Sequence, residues 1–242
     1  MSKIPRFSLF LILSAPLLAC LAGQQGAAQK KFAGDPVAKV AVDVMGDPLP
    51  PGAVARCGTV RFRQNGGVCQ AVLSSDGKTL VTVGGDDLVY LWEFPSGKLL
   101  RKLEGHRHPI ANVVISPDGK KLFASDLKQM ILAWDLATAQ LIASYEGDKG
   151  GGGVSPCLVI SPDGKILADV TSKGKVRIRN VETGKDEHVL PSGGGVRSLA
   201  FAPDGRSLAV AAYGAGIEMW DTTTGKIRDT FKKTRIPASA VV

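Results

Sequence analysis

The chain has 242 residues, of which 44% are hydrophobic, and its formal net charge is +8. This length allows one or two ordinary domains, and the hydrophobic content is enough for a packed core. The Lys and Arg residues are scattered, and the densest group is Lys232-Lys233 with Arg235. Because a nucleic-acid-binding stripe needs its cations gathered on one face, this distribution argues against nucleic acid as a partner.

Residues 1–22 have the pattern of a secretory signal peptide. Lys3 and Arg6 precede an apolar segment from Phe7 to Ala19, which Pro16 interrupts. A membrane-spanning helix needs about 20 apolar residues, so this segment is short for a span. An N-terminal membrane anchor that stays uncut is the alternative. The pattern therefore predicts an exported protein, either periplasmic or associated with the cell envelope.

Two kinds of cleavage fit this leader. The stretch Leu17-Leu18-Ala19-Cys20 resembles the lipobox of bacterial lipoproteins, which makes Cys20 a lipidation candidate, although Leu18 departs from the usual smaller or β-branched residue. Ordinary cleavage at small residues, near Ala22-Gly23 or after Ala27-Ala28, is the alternative. We expect contact with a membrane only through an N-terminal anchor, if Cys20 carries lipid chains.

Residues 23–55 are rich in Gly, Ala and Pro and show no sustained hydrophobic period. We expect a mostly irregular linker, with a short strand at most over Val37–Val44. Residues 56–67 are predicted to hold an accessory strand, because Thr59 to Arg63 alternates with a period of two. This strand would either complete a sheet built from the other end of the chain or cover the edge of the first repeat.

One sequence block recurs four times between Val68 and Phe231. Each copy holds an apolar run, an Asp-Gly turn, a second apolar run and a third strand that ends at or near Trp-Asp. The turn aspartates are Asp76, Asp118, Asp163 and Asp204, and the residues sixteen positions later are Trp92, Trp134, Arg179 and Trp220. Two markers thus keep one period of about 40–45 residues, which is typical of propeller blades with four short strands each.

The turn chemistry of the second copy shows why these residues form strands. Residues 111–116, 121–125, 130–136 and 141–146 are predicted as its four strands. In Pro117-Asp118-Gly119, proline presets φ, the aspartate can bond the backbone two residues on, and glycine takes the positive φ that closes a hairpin. The sequence therefore predicts an all-β fold of four blades, at about 68–107, 108–149, 154–192 and 196–231, followed by a tail at 232–242.

These motifs resemble the WD-repeat β-propeller family. The resemblance rests on the turns of the Ser-Pro-Asp-Gly type, on Gly105-His106, and on Trp92-Glu93, Trp134-Asp135 and Trp220-Asp221. The turn style, the signal sequence and the Pro-rich linker are similar to those of exported bacterial members. The resemblance implies a rigid platform that binds proteins or peptides on its faces and has no chemistry of its own.

The chain departs from the family pattern at the polar network that can cross each blade. In the family an Asp lies six residues before the Trp and a His about 28 residues before it. The Asp position is filled by Asp86 in the first blade, but by Lys128, Lys173 and Gly214 in the others, and His106 is the one histidine in its position. We therefore expect no blade to have both groups. Arg179-Asn180 in place of Trp-Asp marks the third blade as the most eroded.

Four blades are few for a propeller, which typically has 4–8. We favour an incomplete or open ring over a small closed one. Such an arc would be completed by a partner, by self-association or by further sequence, because exposed edge strands favour pairing.

Candidate chemistry is sparse. His106-Arg107-His108 has no evident third metal ligand, and the runs of glycine at 150–153 and 193–195 open no predicted helix that could cradle a phosphate. Cys57 and Cys69 form a conceivable disulfide, although buried reduced cysteines are the alternative. The sequence therefore predicts no enzyme, no catalytic residues, no cofactor and no metal.

The function predicted is a non-catalytic protein-interaction scaffold of the cell envelope. Its surface would combine the loops between blades with the loops between second and third strands, which hold Asp86, Asp87, His106, Arg107, His108, Lys128, Lys173, Lys175 and Tyr213. The mildly basic character of these loops favours an acidic protein segment or an anionic cell-wall polymer. The alternatives are a fragment or decayed copy of a longer WD-repeat sensor and, less favoured, a propeller hydrolase.

Overall fold

A computed structural model describes residues 41–56, 60–147, 157–192 and 195–231. The predicted signal peptide, Cys20, Cys57 and the predicted tail at 232–242 lie outside these ranges. The chain divides into two compact units, residues 1–57 and 58–242, which are described separately. In the first unit the described residues hold one isolated β-bridge, Val42 to Pro48, and residues 37–40 of the predicted short strand lie outside the described ranges. There the carboxylate of Asp43 accepts bonds from the backbone of Met45 and Asp47 and from Arg56.

The second unit contains sixteen strands in its described part. They are β1 (Val68–Leu73), β2 (Thr79–Gly84), β3 (Val89–Glu93), β4 (Leu99–Leu103), β5 (Ile110–Ile115), β6 (Lys121–Asp126), β7 (Ile131–Asp135), β8 (Leu141–Tyr145), β9 (Leu158–Ile160), β10 (Ile166–Val170), β11 (Val176–Asn180), β12 (Asp186–Leu190), β13 (Val196–Phe201), β14 (Ser207–Ala212), β15 (Gly216–Asp221) and β16 (Ile227–Phe231). Consecutive strands pair in fours into antiparallel sheets, and we name these sheets blades 1 to 4. The predicted all-β fold with four blades is confirmed. Within these described ranges, no helix is long and apolar enough to cross a membrane.

The Asp-Gly turns join the first and second strands of each blade. In blade 2 the backbone N–H of Ser116 bonds the carbonyl of Lys121, while the Ser116 hydroxyl donates to Asp118 and accepts from the Lys121 N–H. Gly119 has φ +71°, in the left-handed region that glycine enters without a steric penalty. The hydroxyl bond holds the pKa of Asp118 below its ordinary value, with help from the Lys120 N–H. Local chemistry therefore produces these hairpins.

The apolar core lies between neighbouring blades. One buried cluster joins blades 1 and 2, and includes Val81 and Trp134. A second, which includes Phe123 and Leu167, joins blades 2 and 3, and a third, which includes Ile178 and Trp220, joins blades 3 and 4. The described residues thus form three interfaces between four sheets. Trp134 and Trp220 belong to the clusters shared with the preceding blade, because side chains alternate across a strand.

Residues 60–67 take the place of a preceding blade for Trp92. The predicted accessory strand is wrong over these residues, which form turns and bends. Phe62 donates its N–H to the Gly97 carbonyl and places its ring 6.0 Å from the Trp92 ring. A Cβ atom on Gly97 would lie 2.5 Å from the Phe62 ring, so only glycine allows this approach. The bonds of this segment go to the β3–β4 turn, to the side chains of Thr82 and Tyr90 and, at Gly67, to the backbone N–H of Gly85.

Candidate functional site

The nine residues predicted for an interaction surface all lie in loops at one end of the blades. Since the strands of each sheet are antiparallel, the connections between second and third strands share an end with those between successive blades. We define the loop end as residues 85–88, 104–109, 127–130, 171–175 and 213–215. The Asp-Gly turns lie at the opposite end. Backbone bonds from Ile110 to the Asp86 carbonyl and from Leu127 to the Pro109 carbonyl fix neighbouring loops against each other.

The structure brings only some of the predicted residues together. Arg107, His108 and Lys128 are exposed and line a shallow depression of about 450 Å³, together with Asp126 and Glu146. Three others, Lys173, Lys175 and Tyr213, are exposed in the loops of blades 3 and 4 and do not line it. Arg197 lies over the Tyr213 ring, 5.9 Å from its centroid. The basic side chains of the loop end therefore lie in the loops of blades 2 and 3, and Tyr213 marks its blade 4 part.

Asp86 and His106 have structural partners inside the protein. The Tyr90 hydroxyl donates to Asp86 at 2.7 Å, and burial followed by this bond raises the pKa of Tyr90. His106 is buried, and its Nδ1 lies 3.1 Å from an Asp126 carboxylate oxygen. We therefore assign these two residues to the support of the loops, whereas Asp87 is exposed beside them.

The His106–Asp126 pair corrects the expectation that no blade has both groups. Asp126 ends strand β6, two residues before the position at which the acid was sought, and it also accepts the backbone N–H of Lys128 and Met130. Burial would raise the pKa of Asp126, but the His106 and backbone hydrogen bonds outweigh it and leave this pKa below its ordinary value. Counting back six residues from Trp134 missed this acid, because Asp126 ends strand β6 and receives its bonds from the backbone of the loop that follows.

Blade 1 carries a different polar chain. The Trp92 indole N–H donates to the Thr82 hydroxyl at 2.8 Å, and this hydroxyl donates to the Gln64 side-chain oxygen at 2.5 Å. Gln64 occupies the position that His106 has in blade 2. In blade 2, the Nε2 atom of His106 and the hydroxyl of Ser125 are buried without a hydrogen-bond partner among the described residues. In blade 1 the hydrogen-bonded chain therefore runs from the Trp92 indole to Gln64 without a gap. In blade 2 the chain is interrupted at His106 and Ser125.

Blade 3 carries two buried arginines in its third strand, β11. Arg177 makes a 2.6 Å ion pair with Asp169, and both side chains are buried. Arg179, at the position of the sister tryptophans, donates from Nε to Asp186 at 2.8 Å. Its guanidinium also lies 5.1 Å from the centre of the Tyr145 ring of blade 2. The sequence analysis noted the loss of the tryptophan but did not predict these ion pairs.

The other chemical candidates have ordinary settings. His188 Nε2 lies 2.8 Å from the Thr223 carbonyl oxygen, and Cys69 and Cys157 are free cysteines. Burial raises the pKa of the Cys157 thiol. Within the part of the chain that the structure describes, no group of three or more His, Cys, Asp or Glu residues is placed to hold a metal ion.

Stacked four-stranded antiparallel sheets with one repeating turn and a repeating Trp define a protein built from β-propeller blades. Residues 57–93, 97–135 and 184–221 match the family described as "WD40: WD domain, G-beta repeat". The chain therefore carries WD40 repeats in three places. Each match ends with the third strand of a blade, and the second and third matches include the outer strand of the blade before. The first match begins at residue 57, so residues 60–67 occupy the outer-strand position without forming a strand.

A curated relative supports the same conclusion. The chain is 39% identical over 74 residues to "WD repeat-containing protein SL1-17" of Schistosoma mansoni. The match covers 29% of this chain and 23% of that protein, so it supports the repeat and not a shared role.

Proposed function

We propose that this protein is a non-catalytic scaffold of the cell envelope that binds an acidic protein segment at the loop end of its blades. WD40 repeats suggest a protein-interaction scaffold. The observation that carries the proposal is the row of exposed cations at the loop end, formed by Arg107, Lys128, Lys173 and Lys175. Charge complementarity of this kind favours an acidic partner and speeds its association.

The location is supported by the leader sequence. The cations in residues 1–22, the apolar segment after them and Cys20 favour export and retention at the envelope. The corresponding test replaces Cys20 with Ser in the full chain and compares the membrane fraction with the wild type. A lipid anchor predicts release of the variant, and unchanged fractionation would exclude the anchor.

The binding face is tested with two variants of equal charge. The first combines Lys128→Glu, Lys173→Glu and Lys175→Glu at the loop end. The control combines Lys78→Glu, Lys120→Glu and Lys165→Glu, which are exposed in the Asp-Gly turns at the opposite end. In affinity capture from the native envelope, we expect the first variant to lose the partner and the control to keep it. Equal capture by both would refute the loop end as the binding face.

A second candidate, one part of a larger ring, is favoured by the number of blades. The described residues form four sheets with three apolar interfaces between them, at the lower limit of the 4–8 blades of propellers. Self-association or further blades would extend such an arc. Analytical ultracentrifugation tests self-association, because a monomer at all concentrations would exclude it.

A further inference from the structure

The loss of tryptophan in blade 3 coincides with a groove between blades 2 and 3. The groove has a volume of about 950 Å³. The equivalent groove between blades 1 and 2, lined by Leu100, Arg101 and Leu136, has about 420 Å³, and there Trp134 fills the interface. Arg179 extends to Asp186 and does not fill the space between the sheets as an indole would. We therefore attribute the larger volume of this groove to the loss of the tryptophan.

Arg179 is held in place and has hydrogen-bonding capacity left. Its side chain is only 5% exposed, its Nε donates to Asp186, and Tyr145 covers one side of the guanidinium. Among the described residues, the two Nη amino groups have no hydrogen-bond partner, although the side chain lines the groove. A fixed guanidinium with two donors is suited to a carboxylate, which it can bind in a bidentate manner.

The walls of the groove fit an extended peptide. One wall is a continuous stretch of the outer strand of blade 2, residues 142–146, and the other is the turn at 181–186 in blade 3. Ile142, which is 47% exposed, adds apolar surface. In an extended peptide, side chains two residues apart point the same way, so an acidic side chain and an apolar one at that spacing can reach Arg179 and the apolar surface together.

The charges of the groove favour one carboxylate over a doubly charged group. Three cations line it, and three anions balance them: Lys121, Arg179 and Lys185 against Glu146, Glu182 and Asp186. A phosphate would bring about two negative charges close to these acids. A single carboxylate needs only the unused donors of Arg179.

We propose that the groove between blades 2 and 3 is a second binding site, which takes an extended peptide segment of a partner protein through one Glu or Asp side chain on Arg179 and an apolar side chain two residues away. Ser144 and Glu146 line both this groove and the depression at the loop end. Arg179 lies outside the loop end, so binding of the carboxylate does not depend on the cations proposed there.

The test uses the full chain and synthetic peptides, followed by amide chemical shifts in NMR spectra. The peptide TFTETVT places Phe, Glu and Val on one face, and TFTQTVT differs only in the charge. We expect TFTETVT to shift the amides of residues 142–146 and 181–186 and to bind at least about tenfold more tightly than TFTQTVT, as loss of a charged hydrogen bond implies. Equal binding of both peptides, or no shifts at about 2 mM peptide, would overturn the proposal.

Variants of the protein give a second readout. Arg179→Trp restores the sister residue, and Asp186, whose side chain is 42% exposed, keeps its hydration. We expect this variant to fold and to lose TFTETVT binding, whereas Arg101→Leu in the narrower groove keeps it. A peptide with phosphoserine in place of Glu tests the charge argument, and tighter binding of that peptide would overturn the carboxylate assignment. The triple Glu variant of the loop end should bind TFTETVT normally, which separates failure of this proposal from failure of the scaffold proposal.

Discussion

The cover that residues 60–67 place on Trp92 predicts a measurable loss of stability in Phe62→Ala. Phe62 is 44% exposed, so about half of its side chain is removed from water. A fully buried Phe covers about 150–250 Å², and half of this area corresponds to about 2.5 kcal/mol at about 25 cal/mol per Å². Since alanine keeps part of the contact and the ring pair adds some energy of its own, we expect a loss of about 2 kcal/mol in the free energy of unfolding.

Urea unfolding followed by tryptophan fluorescence measures this loss. The native spectrum should also shift to longer wavelength, because Trp92 becomes hydrated when the ring is removed. The control is Phe231→Ala in β16, the last strand of blade 4. Its phenyl group is 57% exposed and makes no ring contact with a tryptophan among the described residues. If Phe62→Ala unfolds at the wild-type urea concentration and its emission is unchanged, the segment does not act as a cover.

Three further changes test the contacts inside the blades. Trp134→Ala should cost about 3–5 kcal/mol in urea unfolding, because the indole is buried between blades 1 and 2, and a loss below about 1 kcal/mol would contradict that packing. Asp126→Asn should lower stability at pH 7 by about 1–3 kcal/mol. The deficit should shrink as the pH falls below the ordinary Asp pKa of 3.8, because the depressed pKa of Asp126 means that its stabilising charge is lost in acid; a deficit that is the same at pH 7 and pH 3 would contradict the His106 pairing. Ser116→Ala should lower the thermal midpoint through a loss of about 1 kcal/mol, and an unchanged midpoint would show that the bond to Asp118 contributes nothing.

Local features of the fold could be predicted from the sequence because their causes are local. The Asp-Gly turn around Asp118 and Gly119 closes within a few residues, and the same turn recurs at a constant distance from Trp134. The repeat period and the chemistry of the turns were together sufficient to predict the four sheets. The order of strands within each sheet followed, since short hairpins join neighbours.

Contacts between distant segments could not be predicted in the same way. The bond of His106 to Asp126 depends on the shape of the β6–β7 loop, which counting back from the tryptophan cannot supply. The alternation at residues 59–63 predicted a strand, but over the described residues 60–63 the packing of Phe62 against Gly97 gives turns instead. Arg179 was recognised as a departure, but its binding to Asp186 depends on a partner in the next strand. For the candidate site, the sequence predicted which residues lie in the loops, but not that His106 is buried.

A footprint of the bound partner tests the loop-end scaffold most directly. Hydrogen–deuterium exchange of the full chain, with and without the captured partner, reports which backbone amides become protected. The account predicts protection at residues 104–109, 127–130 and 171–175, with the Asp-Gly turns at 74–78, 116–120 and 161–165 unchanged. Protection restricted to those turns would contradict it.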